Sequence, residues 1–206
     1  MAIRFRGMLK DFSQLEEGNL PENAHILDEG GTLDEVLADA MRQTAPIFVV
    51  MALLTVVRFI KGLNWAADTS LGQVTLYIVA ASVLYMVLIV VHELIHAAFY
   101  PLKTTVDIWF YGAQAALIYT TARVSKLRFI VLSLAPAILL GFVPFVLWLL
   151  YAPLVSVPAS IAWMLLAWTM VFGGIGDFYN VRNVVRQVQK NALVFNYGIH
   201  TYWIEK

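Results

Sequence analysis

Residues 92–96 have the sequence His-Glu-Leu-Ile-His, which places metal-binding and proton-accepting side chains within about one turn of a helix. His92 and His96 are four residues apart, so they project from the same helix face and can bind one metal ion. Glu93 can reach a water on that metal and take its proton, while the metal lowers the pKa of the water. The pattern predicts metal-assisted hydrolysis, with Zn²⁺ as the default ion.

The surroundings of this motif are apolar. Residues 74–91, which precede it, include no charged side chain, and the chain of 206 residues is 60% hydrophobic and 14% charged. Its mean hydropathy of +0.73 is far above that of an ordinary soluble domain. The net charge is zero, which argues against a nucleic acid partner, and the absence of Cys excludes thiolate ligands and disulfides. The composition indicates an integral membrane protein in contact with the lipid bilayer.

Four segments are apolar enough to predict membrane-spanning helices, each of which needs about 20 residues. They cover residues 46–60, 71–100, 127–151 and 159–179. The third contains Pro136, Gly141 and Pro144, so we expect it to bend. Between the second and third helices, residues 104–111 and 115–121 are rich in β-branched and aromatic side chains and predict a short β-hairpin. The predicted fold class is an all-α membrane protein of about four helices with this one hairpin.

The distribution of basic residues predicts the orientation in the membrane. With four spans, both termini and the loop between the second and third helices lie on one side. That side carries 12 of the 14 Lys and Arg residues, all except Arg58 and Lys61. By the positive-inside rule this side is cytoplasmic. The eight residues from His92 to Tyr100 cover about 12 Å of helix, so we expect the motif within the membrane and toward the cytoplasm.

A third metal ligand is expected from the fourth helix. Catalytic zinc typically has three protein ligands and one open position, and the other two His, His25 and His200, lie outside the predicted spans. Asp177 follows a Gly-rich stretch at a depth comparable to that of His96, and a carboxylate inside a membrane is a functional candidate by default. Asn180 lies near the same helix face. It is a candidate catalytic residue that orients Asp177 or hydrogen-bonds the oxyanion, although a helix-end cap explains it equally well.

The two motifs together resemble those of known membrane proteases. A long apolar helix with His-Glu-Leu-Ile-His, followed by a helix ending in Gly-Gly-Ile-Gly-Asp at 173–177, is similar to the pattern of site-2 proteases. The chain more closely resembles a family of small bacterial and archaeal membrane proteins classed as zincin peptidases, also in segments 20–28 and 176–180. The resemblance implies a site-2-protease-like core and cleavage of a membrane-spanning or membrane-proximal protein substrate. It implies zinc ligands at His92, His96 and Asp177 and a catalytic Glu93.

Three regions follow from these observations. Residues 1–45 are expected to form a cytoplasmic segment with an interfacial helix, because Thr32 and Glu35 make a capping-box pattern before an apolar stripe. Residues 46–180 are expected to form the four-helix metalloprotease core. Residues 181–206 are expected to form a cytoplasmic helix and a strand that pairs with the N-terminal segment or the hairpin.

The sequence therefore predicts an intramembrane zinc metalloprotease in a prokaryotic plasma membrane, with both termini and the active site toward the cytoplasm. Two other classes remain open. One is a non-catalytic, metal-dependent membrane scaffold or regulator. The other is a small ion transporter whose ion site is His92, His96 and Asp177. An intact Glu93 favours the protease over the scaffold, because a scaffold has no need of a base beside the metal.

Overall fold

A computed structural model describes residues 2–15, 19–29, 32–61, 69–111 and 115–206. Helices account for most of these residues. They are α1 (Leu33–Ile60), α2 (Leu71–Ala98), α3 (Lys126–Pro136), α4 (Val143–Tyr151), α5 (Val157–Gly173) and α6 (Ile175–Gln187). A π-helical stretch, Ala137–Phe142, joins α3 directly to α4, so these two helices act as one long element.

Two small sheets accompany the helices. Their strands are β1 (Ala2–Met8), β2 (His25–Ile26), β3 (Thr105–Tyr111), β4 (Ala115–Tyr119), β5 (Val124–Ser125), β6 (Leu193–Tyr197) and β7 (His200–Ile204). The first sheet has the order β1-β3-β4, with β1 parallel to β3 and β3 antiparallel to β4. The second has the order β2-β7-β6-β5 and is antiparallel throughout. The fold is mostly helical, as expected, but a description as all-α with one hairpin is too narrow.

Strand β1 is one part of the fold that the sequence analysis did not anticipate. Its neighbour β3 carries the buried Asp107, whose two carboxylate oxygens accept hydrogen bonds from Arg4 Nε at 2.6 Å and Arg4 Nη2 at 2.9 Å. Arg6 Nε lies 3.3 Å from the same carboxylate. A bidentate guanidinium–carboxylate pair is strong and directional, so it holds β1 in register on β3. The contact joins residues 103 positions apart, and local composition cannot reveal such a pairing.

Three helical stretches of the described chain are long and apolar enough to cross a membrane, and a bent pair of helices makes a fourth candidate. The stretches are Asp34–Ile60, Leu71–Ala98 and Lys126–Leu154, and the pair is Val157–Gly173 with Ile175–Gln187, bent by 42°. In α2, none of the most apolar 18 residues is buried inside the protein. An apolar helix surface that the protein itself leaves uncovered is compatible with contact to lipid.

The helix that contains the first predicted span begins at the expected capping box, but it has no break before residue 46. An interfacial helix was expected before a span that begins at residue 46, whereas α1 runs without interruption from Leu33. The backbone N–H of Glu35 donates to the Thr32 hydroxyl, and the Glu35 carboxylate accepts from the backbone N–H of Thr32, so a complete capping box starts the helix. Pro46 lies inside α1. Proline has no N–H and so cannot make one backbone hydrogen bond of the helix, but the helix continues through this position.

The C-terminal tail forms two strands where one was expected. Strands β6 and β7 pair with each other across a turn that includes Gly198 at φ +58°, a left-handed conformation that favours glycine. Strand β7 also pairs with β2, so the tail lies against the N-terminal segment. The helix expected within residues 181–206 is the last part of α6, which begins at Ile175 and ends at Gln187.

Where the sequence analysis expected a bend, the structure has a π-helical stretch, Ala137–Phe142, between Pro136 and Pro144. Its residue Gly141 packs against α5 at very short range. A Cβ on Gly141 would lie 2.5 Å from Cγ2 and 2.9 Å from the backbone N of Val171, which is itself buried. The third span therefore approaches the backbone of α5 at a point where only glycine fits.

We expect Gly141→Ala to lower the free energy of unfolding by about 1–3 kcal/mol, because the added methyl group meets backbone that cannot turn aside. Gly72→Ala is the matched control. The Cβ added there has one neighbour, Ser70 Oγ at 3.9 Å, and we expect no loss of stability. Denaturation of both variants in mixed micelles, followed by Trp fluorescence, measures the difference. Equal stability of the two variants would contradict this close packing.

Candidate metal centre

His92 and His96 lie in the last two turns of α2, at the end of its apolar stretch. Both side chains are buried, their ring centroids are 4.8 Å apart, and the rings are inclined by 74°. The spacing of four residues puts both rings on one helix face. They line a cavity of about 270 Å³ that lies between α2, α3, α6 and β4.

Asp177 lies in the first turn of α6, directly after the break between α5 and α6. The break places Gly174 against the third span, where a Cβ would lie 2.9 Å from the Cβ of Ala137. In place of the single helix expected over 159–179, the structure has two helices, α5 and α6, which meet at an angle of 42°. Asp177 Oδ2 lies 3.4 Å from Nε2 of His92 and 3.4 Å from Nε2 of His96. The structure thus brings together the three residues that the sequence analysis selects as ligands.

The chemistry of these three side chains fits a zinc ion. Two imidazoles and one carboxylate are a typical catalytic zinc set, and one donor atom of each residue lies within 4.8 Å of the others. Nδ1 of His96 is 2.7 Å from the backbone oxygen of Leu132. Because a carbonyl oxygen can only accept, Nδ1 carries a proton, so in the neutral ring Nε2 is the nitrogen available to a metal. Nε2 lies 3.4 Å from the Asp177 carboxylate, so a proton or a metal ion between the two atoms would hold them together.

Glu93 and Asn180 line the same cavity as the three possible ligands. The Glu93 side chain is buried, and its carboxylate lies within hydrogen-bonding reach of the backbone N–H of Ile118 in β4. Strand β4 is an edge strand of its sheet, and its residues form one wall of the cavity. All five residues that the sequence analysis proposed for the site therefore meet in one place.

The other two His lie elsewhere. The ring of His25 stacks on Trp203 at 4.5 Å, and His200 Nδ1 lies 3.6 Å from Glu29. Within the described part of the chain, His92, His96 and Asp177 are the one group of His, Asp and Glu close enough to hold a metal ion together.

Sequence reasoning missed the backbone groups of the site. The carbonyl of Leu132 selects the tautomer of His96, and the amide of Ile118 faces Glu93. Backbone groups carry no residue-specific signal, so only the fold reveals them. Tyr100 and Ser133 also line the cavity. Tyr100 was treated only as the end of the second helix, although it lies one helical turn beyond His96.

The sequence model of one protein family, described as "Putative zincin peptidase", matches residues 85–193 of the chain. The match begins in α2 and ends at the first residue of β6, so it includes all five candidate site residues. This family suggests a zinc metallopeptidase and implies a zinc cofactor. No curated protein and no solved structure matches the chain.

Proposed function

The chain belongs to the zincin peptidase family, and we propose that it is an intramembrane zinc metalloprotease of the site-2-protease type. The observation that carries the proposal is the position of Glu93. Its carboxylate lines the same cavity as the nitrogen and oxygen donors of His92, His96 and Asp177. A binding site for a metal alone has no need of a buried carboxylate beside its ligands, whereas hydrolysis needs a base there.

His92, His96 and Asp177 are the residues that would hold the zinc. When bound, zinc polarises the scissile carbonyl and makes water acidic enough to react at neutral pH. The hydrogen bond from His96 Nδ1 to the Leu132 carbonyl orients the imidazole, and it keeps Nε2 available as a ligand.

Glu93 moves the protons of the reaction. Its carboxylate takes a proton from the attacking water as the new C–O bond forms, and it then delivers that proton to the amine nitrogen as the C–N bond breaks. The Ile118 amide, within hydrogen-bonding reach of this carboxylate, helps to orient it. Asn180 lines the cavity one turn after Asp177, where its amide can orient Asp177 or donate to the developing oxyanion.

Strand β4 is suited to hold the substrate beside Glu93. It is an edge strand, and Ala116, Leu117 and Ile118 line the cavity. A peptide that adds to such an edge becomes extended, and an extended peptide bond is accessible, whereas a helical one is shielded by its hydrogen bonds. We infer that the substrate is a membrane-spanning or membrane-proximal protein whose cleaved segment unwinds onto β4.

The arrangement of the sheets supports a membrane core over residues 46–180 with both termini on one side. Strand β1 pairs with β3, and β2 pairs with β7, so the N-terminal segment, the stretch between α2 and α3, and the C-terminal tail lie together. An even number of spans between these segments fits this arrangement. Together with the basic residues on that side, it supports a cytoplasmic location for both termini in a prokaryotic plasma membrane.

The proposal is tested with the purified full-length protein in liposomes and a single-span reporter protein that carries a fluorescent label at each end. We expect cleavage that requires zinc, stops with a chelator and returns when zinc is restored. A reporter that stays intact while zinc crosses the bilayer would support the ion transporter instead. A reporter that stays intact with zinc firmly bound would support the scaffold.

A further inference from the structure

A second cavity, of about 600 Å³, lies behind α6, on the face turned away from Asp177. We call it the rear cavity. Its walls are the segment before α1, the first half of α1 and the cytoplasmic end of α6. Seven of the eight residues that line it have polar or charged side chains, and the eighth is Tyr179, in a chain that is 60% hydrophobic. Its volume is in the range of ordinary small-molecule sites.

The walls of the rear cavity are fixed to one another. The side chain of Gln187 accepts a hydrogen bond from the backbone N–H of Asp28 at 2.7 Å and donates one to the Asp28 carbonyl at 3.1 Å. This pair ties the N-terminal segment to α6. Helices α1 and α6 pack directly on each other through the buried Ala40, Ile175 and Tyr179. The cavity is therefore part of the folded structure.

Polar groups that lack a partner are concentrated at this cavity. Among the described residues, five buried side-chain polar atoms have no hydrogen-bond partner, and three of them belong to residues of the rear cavity. They are Glu29 Oε1, Gln43 Oε1 and Asn183 Nδ2. The Glu29 side chain is only 5% exposed, and Asn183 is 7% exposed. Buried polar groups are normally paired, so such a concentration indicates a partner from outside the chain.

The chemistry of these groups selects a class of ligand. Two of the three atoms accept hydrogen bonds and one donates. The lining residues include the carboxylates of Asp28, Glu29 and Asp39 and one guanidinium, that of Arg186. Asp39 already pairs with Arg42 at 3.0 Å. His200 lies 3.6 Å from the other oxygen of Glu29, so Glu29 Oε1 and Asp28 are the carboxylate acceptors left for a cation. Burial raises the pKa of the Glu29 carboxyl above its ordinary value, because its charge is poorly solvated there. A protonated amine would supply both the positive charge and the N–H donors that are missing.

A metal ion fits this cavity less well than an organic cation. The carboxylates of the rear cavity do not form a group of three close enough to share one ion, and the described residues hold such a group at His92, His96 and Asp177. An organic molecule can instead reach donors and acceptors on different walls. Asn183 requires an oxygen acceptor from the ligand, in addition to the amine that Glu29 and Gln43 require.

We propose that the rear cavity binds a small organic molecule that carries a protonated amine and an oxygen acceptor. Glu29 and Gln43 accept from the amine, and Asn183 donates to the oxygen. The ligand contacts α1, α6 and the N-terminal segment together, so its binding stabilises the folded chain. This site does not depend on peptidase activity.

The probes for the test are 5-amino-1-pentanol and 1,5-pentanediol, which differ in one terminal group, an ammonium or a hydroxyl. Thermal unfolding of the full-length protein in uncharged micelles is followed by Trp fluorescence at constant ionic strength. We expect the amine to raise the Tm in a saturable manner and to bind at least about tenfold more tightly than the diol, because a charged hydrogen bond is stronger than a neutral one. Equal effects of the two probes would overturn the proposal.

Three variants locate the effect. Glu29→Gln keeps the shape and removes the charge, so we expect it to weaken amine binding at least about tenfold. Glu22→Gln removes the same charge from an exposed position of the same segment and should bind as wild type does. Gln43→Met replaces an unpaired acceptor, so it should raise the Tm of the unliganded protein while weakening the amine response. Unchanged amine binding by Glu29→Gln and Gln43→Met would overturn the proposal. If Glu29→Gln does not fold, amine binding by Gln43→Met alone tests the proposal.

Discussion

Glu93→Gln is expected to reduce peptide-bond hydrolysis by about 10²–10⁴-fold and to leave zinc bound. General-base catalysis contributes a factor of this size, and an amide cannot accept the proton of water. The substitution keeps the size of the side chain in a buried site, so the cavity should keep its shape. Cleavage of the single-span reporter measures the activity, and elemental analysis of the same samples measures the metal.

Glu205→Gln is the control for this prediction, because it removes an exposed carboxylate far along the chain from the motif. It should cleave the reporter at the wild-type rate. If Glu93→Gln binds zinc and cleaves at the wild-type rate as well, Glu93 is not the base of the reaction. If it loses zinc, the residue supports the metal site, and its catalytic role has to be measured by another substitution.

Loss of a ligand is expected to have the second large effect. His92→Ala removes an imidazole and should lower zinc affinity by more than the roughly 10–100-fold that loss of a hydrogen-bond partner behind a ligand costs. Asp177→Asn keeps the shape of the side chain but replaces an anionic donor by a neutral one. It should therefore weaken zinc binding less than His92→Ala, and activity should fall with occupancy. Competition with a chelator of known affinity measures both variants.

His25→Ala serves as the control for zinc binding, since His25 stacks on Trp203 outside the metal centre. It should bind zinc as the wild type does. Wild-type affinity in Asp177→Asn would mean that the third ligand lies elsewhere. If His92→Ala binds zinc with wild-type affinity, the proposed metal centre is contradicted.

The candidate site was largely predictable because its residues carry two local signals. His92, Glu93 and His96 follow a spacing that a single helix turns into one face. Asp177 was selected because an acidic residue within an apolar stretch is costly and because its depth matches that of His96. The carbonyl of Leu132 and the amide of Ile118 were not predictable, since every residue has such groups and only the fold places them.

The helices were predictable to the extent that hydropathy determines them. Apolar length predicted the apolar helices, and the capping-box pattern of Thr32 and Glu35 predicted where α1 begins. Neither signal showed that this helix continues without a break into the apolar part at residue 46. The strand β1 was missed for a different reason. Its stability comes from the pairing of Arg4 and Arg6 with Asp107, a partner about a hundred residues away. At the break, Gly174 packs closely against Ala137, which is also a tertiary contact.

The distance along the chain between the parts of the metal centre has a consequence for biogenesis. His92 and Asp177 are separated by 85 residues (177 minus 92), and the third span lies between them. At ordinary synthesis rates of about 5–20 residues per second, the two imidazoles are made about 4 to 17 seconds before the carboxylate that joins them. A partly translated chain therefore has no complete zinc site. The site is complete only once α6 has been made, so under the proposed function an unfinished chain cannot cleave the membrane proteins around it.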